Sequence, residues 1–135
     1  MNIIRRFGHL FMSGIFVVSG IDTWRNPGSY RAGAASRFTD IASKVGLPEE
    51  PEQLVRVNSV VHVVGGLMLA KNLFPRLAAL ALASSLVPTT LGAHAFWEKS
   101  DPKERATQRI QFLKNLGLFG GLLLTVAEPH HHHKR

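Results

Sequence analysis

"LAALALASSLVPTTLGAHAFW", residues 77–97, decides the class of this chain. It runs for roughly 21 residues without a formal charge, enough for about 32 Å of helix, the thickness of a hydrocarbon core. It lacks the polar stripe that a surface helix of a soluble bundle carries. Pro88 would be costly in the middle of a soluble helix, but membrane helices tolerate proline because Ser and Thr side chains can re-satisfy the freed backbone groups. Ser84, Ser85, Thr89 and Thr90 stand close enough to do so. The segment reads as a transmembrane helix.

Working outward, three further apolar runs lie at 3–21, 54–70 and 110–127, each more polar than the first. The run at 3–21 opens with Arg5, Arg6 and His9, which is also the form of a signal peptide. Removing it would leave an odd three-helix remainder, so it is read as a retained span. "KNLFPR", residues 71–76, is a tight turn, and the charged stretch at 98–109 is read as the aqueous turn of the last hairpin, bending at Asp101-Pro102. Short connections make these neighbours antiparallel.

The longer connection between the first two spans contains Phe38, Ile41, Ala42 and Val45 at i, i+3, i+4 and i+7, with Arg37, Asp40 and Lys44 between them. That pattern predicts a short amphipathic helix over about 31–46, lying on the membrane surface or capping the bundle. The expected fold is therefore a single all-α membrane domain over 1–135, an antiparallel bundle of four transmembrane helices with one interfacial helix. Gly65 and Gly66, and the Gly117–Gly121 pair spaced as GxxxG beside Gly120, supply small residues for close helix packing.

The totals narrow the function classes. The formal net charge is +7, but the basic residues flank apolar runs instead of forming a recognition helix, which argues against nucleic acid. The charged fraction, 19%, lies below that of a typical soluble domain. Cysteine is absent, which removes disulfides, thiolate nucleophiles and thiolate-held iron–sulfur clusters within the chain. Arg5, Arg6, Lys71, Arg76, Lys134 and Arg135 fall on one side against Glu128 alone, which favours cytoplasmic termini. The final "HHHHKR" is read as a natural tail and given no function.

Antiparallel spans bring particular polar residues to one depth. Asp22 ends the first span, Asn58 and His62 open the second with Arg56, His94 and Trp97 end the third, and Gln111, Lys114 and Asn115 open the fourth. Gln111, Lys114 and Asn115 are at i, i+3 and i+4, hence on one helix face. Ionisable groups in a membrane usually face a bundle interior, a cavity or each other, so Asp22, Asn58, His62, His94, Trp97, Gln111, Lys114 and Asn115 form the candidate polar pocket. The bland alternative has Lys114 snorkelling to the headgroups, Trp97 anchoring at the interface and the histidines bonding backbone carbonyls. Two histidines make a weak metal case, nothing selects haem, and no phosphate loop or nucleophile elbow is present.

"HAFWEKSDPKERATQRIQFLKNLGLFGGLLL" (94–124), "LFMSGIFVVSGIDTWRNP" (10–27) and "KNLFPRLAALALASSLVPTT" (71–90) resemble the DoxX family of small bacterial membrane proteins, and "RNPGSYRAGA" (25–34) its actinobacterial members. The resemblance covers nearly the whole chain, and its last third reads as the most specific part. It implies a four-helix membrane bundle associated with redox systems, in a family named for a subunit of a thiosulfate:quinone oxidoreductase. It points to His94, Phe96, Trp97, Gln111, Lys114 and Asn115.

The first expected function is a membrane subunit of a redox complex, not an enzyme by itself. His94 or His62 would hydrogen-bond a quinone headgroup, Lys114 would stabilise its reduced anion and Trp97 would line the ring. The alternative is a non-catalytic scaffold that docks partner subunits through its longer loops. A small transporter ranks last, since no inverted repeat is visible.

Overall fold

The computed structural model describes residues 2–26, 28 and 35–129, and among these the regular structure is all helical. The Asn2 side chain accepts the Ile4 N–H at 3.0 Å and starts α1 (Ile3–Arg25). A 3-10 turn (Ser36–Phe38) leads into the short α2 (Thr39–Lys44). Pro51 at the first position of α3 (Pro51–Ala70) and Pro75 at that of α4 (Pro75–Ala93) occupy sites where the missing N–H removes no helical bond. A second 3-10 turn (Phe96–Glu98) precedes α5 (Pro102–Val126).

Two boundaries differ from the sequence expectation. The charged stretch is not mainly a turn: Asp101 is extended, Pro102 opens α5, and residues 103–109 form its first two turns. Proline at the first helical position and Glu104 in the first turn both favour a helix start there. α4 ends at Ala93 instead of 97, with His94 at its C-cap. The interfacial helix contracts to Thr39–Lys44 plus the 3-10 turn; residues 31–34 of the expected span, and the tail at 130–135, lie outside the described residues. In α2 only Ala42 is buried, while Ile41 and Val45 stand exposed. The turn between α3 and α4 holds Asn72 and Phe74 in the left-handed region, at φ of 56° and 44°.

Small residues set the closest approach of the helices. A Cβ placed on Gly20 would lie 2.7 Å from Val63 Cγ2 and 2.8 Å from the Ser59 carbonyl oxygen. One placed on Gly66 would lie 2.8 Å from Val17 Cγ2 and 3.2 Å from the Ser13 carbonyl oxygen. The α1–α3 seam is the most extensive in the fold, and its numbers rise on one helix as they fall on the other, so the pair is antiparallel. α3 meets α4 in the same sense through Asn58 with Thr89 and Gly65 with Leu82. α4 meets α5 through Thr90 with Asn115 and Arg76 with Val126. α5 returns to α1 through Gly121 opposite Met12 and Glu128 opposite Arg5 and His9. Of the GxxxG pair only Gly121 faces another helix; Gly117 and Gly120 face open space.

The distribution of polarity is reversed relative to a water-soluble bundle. Ser13, Ser59, His62, Thr90, Asn115 and Thr125 are buried beside a core of Phe16, Leu69, Leu82, Leu86 and Leu122. The outer faces carry Phe11 and Val18 on α1, Val64 and Leu67 on α3, Leu77 and Leu91 on α4, and Leu113 and Leu124 on α5, all exposed. A continuous apolar exterior of this kind is a liability in water and the required condition in lipid. Pro51–Ala70 and the stretch Pro75–Glu98 are each long and apolar enough to cross a membrane, and about a third of each is buried against the rest of the chain. A core helix of a soluble protein would be mostly covered.

Candidate functional site

The polar residues singled out in the sequence do not meet in one chamber. They fall into a set of helix–helix ties and one corner. Asn58 on α3 is the first tie. Its amide Nδ2 donates to Thr89 Oγ1 at 2.9 Å, and its Oδ1 accepts the Ser85 hydroxyl. Thr89 also donates to the Ser85 carbonyl oxygen at 3.1 Å. Of the residues expected to compensate for Pro88, Ser85 and Thr89 thus bind α4 to α3. The second tie is Asn115 Nδ2 donating to Thr90 Oγ1 at 3.0 Å, with both residues buried. In an apolar surround these bonds satisfy groups that would otherwise be stranded.

His62 lies deep between α1 and α3, its ring edge-on to Phe16 with centroids 5.3 Å apart. Its Nε2 is buried with no hydrogen-bond partner. Asp22 is exposed on the last turn of α1 and engaged in an interaction of its own. Neither residue touches the His94 group in any described contact. Arg56 lies over the Trp24 ring, 5.4 Å from its centroid, and pairs with Glu52 at 3.4 Å.

The corner is formed where α4 ends and α5 begins. Ending α4 at Ala93 frees the chain to turn, and places His94 Nδ1 2.7 Å from Gln108 Oε1. With Oε1 as acceptor, Nδ1 carries the ring proton, and a neutral Nε2 is then an acceptor. Immediately after it, Phe96, Trp97 and Phe112 pack edge to face, with centroids 5.3, 5.5 and 5.8 Å apart. Trp97 is half exposed, so one ring of the trio is open to a ligand. One turn along α5 from Gln108, Gln111 Oε1 accepts from Lys114 Nζ at 2.6 Å, on an exposed face. Lys114 thus points outward, as a snorkelling lysine does, and Asn115 points inward.

Gln108 and Phe112 were not among the sequence candidates. The signal was present: 108, 111 and 115 share one helical face, and 112 follows 108 by one turn. The charged run at 98–109 masks it, because Gln108 then falls in the expected turn and outside the expected span at 110–127. The corner has the parts needed for a planar ring bearing oxygen substituents, namely a held imidazole and an open indole. Among the described residues no cluster of histidine, aspartate and glutamate suits a metal ion.

An all-helical chain with an apolar exterior, a small polar interior and two helices of membrane-crossing length is an integral membrane protein. Residues 6–95 match the DoxX family model, and the chain belongs to that family. The match ends one residue beyond His94 and leaves out α5, which carries Gln108, Gln111, Lys114 and Asn115; the part of the sequence read as most specific lies outside it. No curated protein and no solved structure matches the chain.

Proposed function

We propose that the chain is a four-span antiparallel membrane subunit of a redox-linked complex in the bacterial plasma membrane, with both termini cytoplasmic, and that its His94 corner receives a quinone headgroup. Such a headgroup carries two electrons and two protons between membrane complexes, and in this reading a partner subunit supplies the electrons; this chain has no cysteine to hold an iron–sulfur cluster of its own. The observation that carries the reading is the His94–Gln108 bond beside the half-open aromatic trio. With Nδ1 committed to Gln108, Nε2 is suited to accept the hydroxyl of the reduced, quinol form. Trp97 offers a ring face, and Gln111, one turn along α5 from Gln108 and bonded to the outward-pointing Lys114, would orient a second oxygen.

The expected result is that natively purified protein retains quinol, and that His94→Ala reduces this retention by about tenfold, the value of one good hydrogen bond to a partly buried group. Gln108→Leu, which frees the imidazole without removing it, should give a smaller loss. Retention unchanged in His94→Ala, measured on extracted lipids, contradicts the assignment.

A second reading has its own support. Asn58, Ser85, Thr89, Thr90 and Asn115 are all spent on one another, as residues of a purely structural scaffold would be. In that reading the chain docks partner subunits through its longer loops and binds no quinone. Purification in mild detergent separates the two: partner subunits co-purifying without quinone favour the scaffold, and quinol retained on the chain favours the His94 corner.

A further inference from the structure

A cleft of about 340 Å³ opens on the outer face of the α1–α3 seam, remote in sequence and contacts from the His94 corner. Ile21 and Trp24 of α1 and Val60, Val63 and Val64 of α3 form its walls, and Arg25 stands at its end. The walls are apolar, and Ile21, Trp24, Val60 and Val64 are all partly open to the outside. The close approach at Gly20 shapes the cleft, because it draws Ser59 and Val63 against α1 and leaves the larger side chains to either side to form its rims. At the same end as Arg25, the Arg56 guanidinium lies over Trp24. Glu52 takes its Nη2, while Nε is buried without a hydrogen-bond partner. Asp22, the other acid at this level, is already engaged.

An apolar trough with Arg25 at its end and the Arg56 guanidinium stacked on Trp24 of its wall matches an amphiphile with an anionic head. We propose that this cleft is a specific site for an anionic phospholipid, with an acyl chain along Ile21, Val60 and Val64 and the phosphate between Arg25 and Arg56. The proposal rests on the membrane-spanning reading given above and is independent of the quinone assignment. A guanidinium already stacked on an indole keeps its donors in place for a phosphate, which makes Trp24 the natural reporter of occupancy.

Trp24 and Trp97 are the two tryptophans of the chain, so the Trp97→Phe variant reports Trp24 alone. The full chain in mild detergent is titrated with phosphatidylglycerol bearing brominated acyl chains, and separately with phosphatidylcholine bearing the same chains. Phosphatidylglycerol is expected to quench Trp24 saturably at a concentration at least about tenfold lower than phosphatidylcholine. Arg25→Gln and Arg56→Gln are each expected to weaken phosphatidylglycerol about fivefold and leave phosphatidylcholine unchanged. Val60→Phe, which fills the trough, should abolish saturable quenching by both lipids. Equal quenching by the two lipids, an Arg25→Gln curve identical to the parent, or quenching indifferent to Val60→Phe overturns the site. Arg25 is exposed, so its variant keeps the test decisive if Arg56→Gln fails to fold. A chain found outside the membrane fraction would defeat the membrane reading itself; a membrane-embedded chain with lipid-indifferent quenching defeats this site alone.

Discussion

Gly20→Leu is expected to destabilise the bundle by about 3 kcal/mol or more, the largest effect of any single substitution on the α1–α3 seam. Even the first carbon of the new side chain would lie 2.7 Å from Val63 Cγ2 and 2.8 Å from the Ser59 carbonyl oxygen. The second contact is backbone, which cannot rotate away, so the two helices must separate. Separation would also loosen Gly66 from Ser13 and Val17, because both glycines belong to the same crossing. Gly20→Ala should cost about 1–3 kcal/mol by the same contact, reduced by the better helix propensity of alanine. Gly117→Ala is the matched control: nothing lies within 4 Å of its added carbon, so the change should be neutral or mildly stabilising. Thermal unfolding followed by circular dichroism in a single detergent checks all three, and equal midpoints for Gly20→Leu and Gly117→Ala would refute the packing account.

Asn115→Leu is expected to cost about 1–2 kcal/mol and to weaken the α4–α5 contact selectively. Asn115 is buried and its amide donates to Thr90 Oγ1, so an apolar replacement leaves the threonine hydroxyl without its cross-helix partner. That hydroxyl can turn to a carbonyl one turn back in its own helix, which is why the cost stays modest. Restoring volume without polarity separates the hydrogen bond from packing. A double-mutant cycle with Thr90→Val should show coupling between the two positions, and Asn58→Leu combined with Thr90→Val should show none. A coupling energy near zero for the Asn115–Thr90 pair would indicate that the bond contributes nothing to holding α4 on α5.

Much of this architecture is legible in the residues themselves. Long uncharged runs broken by short polar connections leave few alternatives to membrane helices, and the family likeness is legible over nearly the whole chain, with the family model matching residues 6–95 of it. Spacing puts Gln111, Lys114 and Asn115 on one face of α5, and of the three the structure keeps Lys114 with Gln111 on the outside. What spacing could not supply is which neighbour each side chain meets. A shift of one residue turns a helix face by about a quarter turn, so adjacent Lys114 and Asn115 end on different sides, one outward and one against Thr90. For the same reason the expected pocket resolves into separate ties, with His62 against Phe16 and His94 on Gln108. Charge obscures the start of α5, because a charged run suits an aqueous turn while Asp-Pro-Lys-Glu is also a good helix opening. Gly20 carries no signal in the sequence, since a lone glycine in an apolar run has no spacing to mark it.

The central claim, that the long helices cross the membrane in alternation from a cytoplasmic N-terminus, has a direct test. The chain contains no cysteine, so the natural sequence is already the background for single-cysteine labelling. Asn2→Cys, Glu49→Cys, Asn72→Cys and Lys103→Cys place one thiol before α1, one before α3, one in the α3–α4 turn and one at the start of α5; all four positions are exposed. In intact cells treated with a membrane-impermeant maleimide, Glu49→Cys and Lys103→Cys should label, whereas Asn2→Cys and Asn72→Cys should label only after permeabilisation. Labelling of Asn2→Cys together with Glu49→Cys in intact cells would mean that α1 does not cross, and would contradict the four-span account.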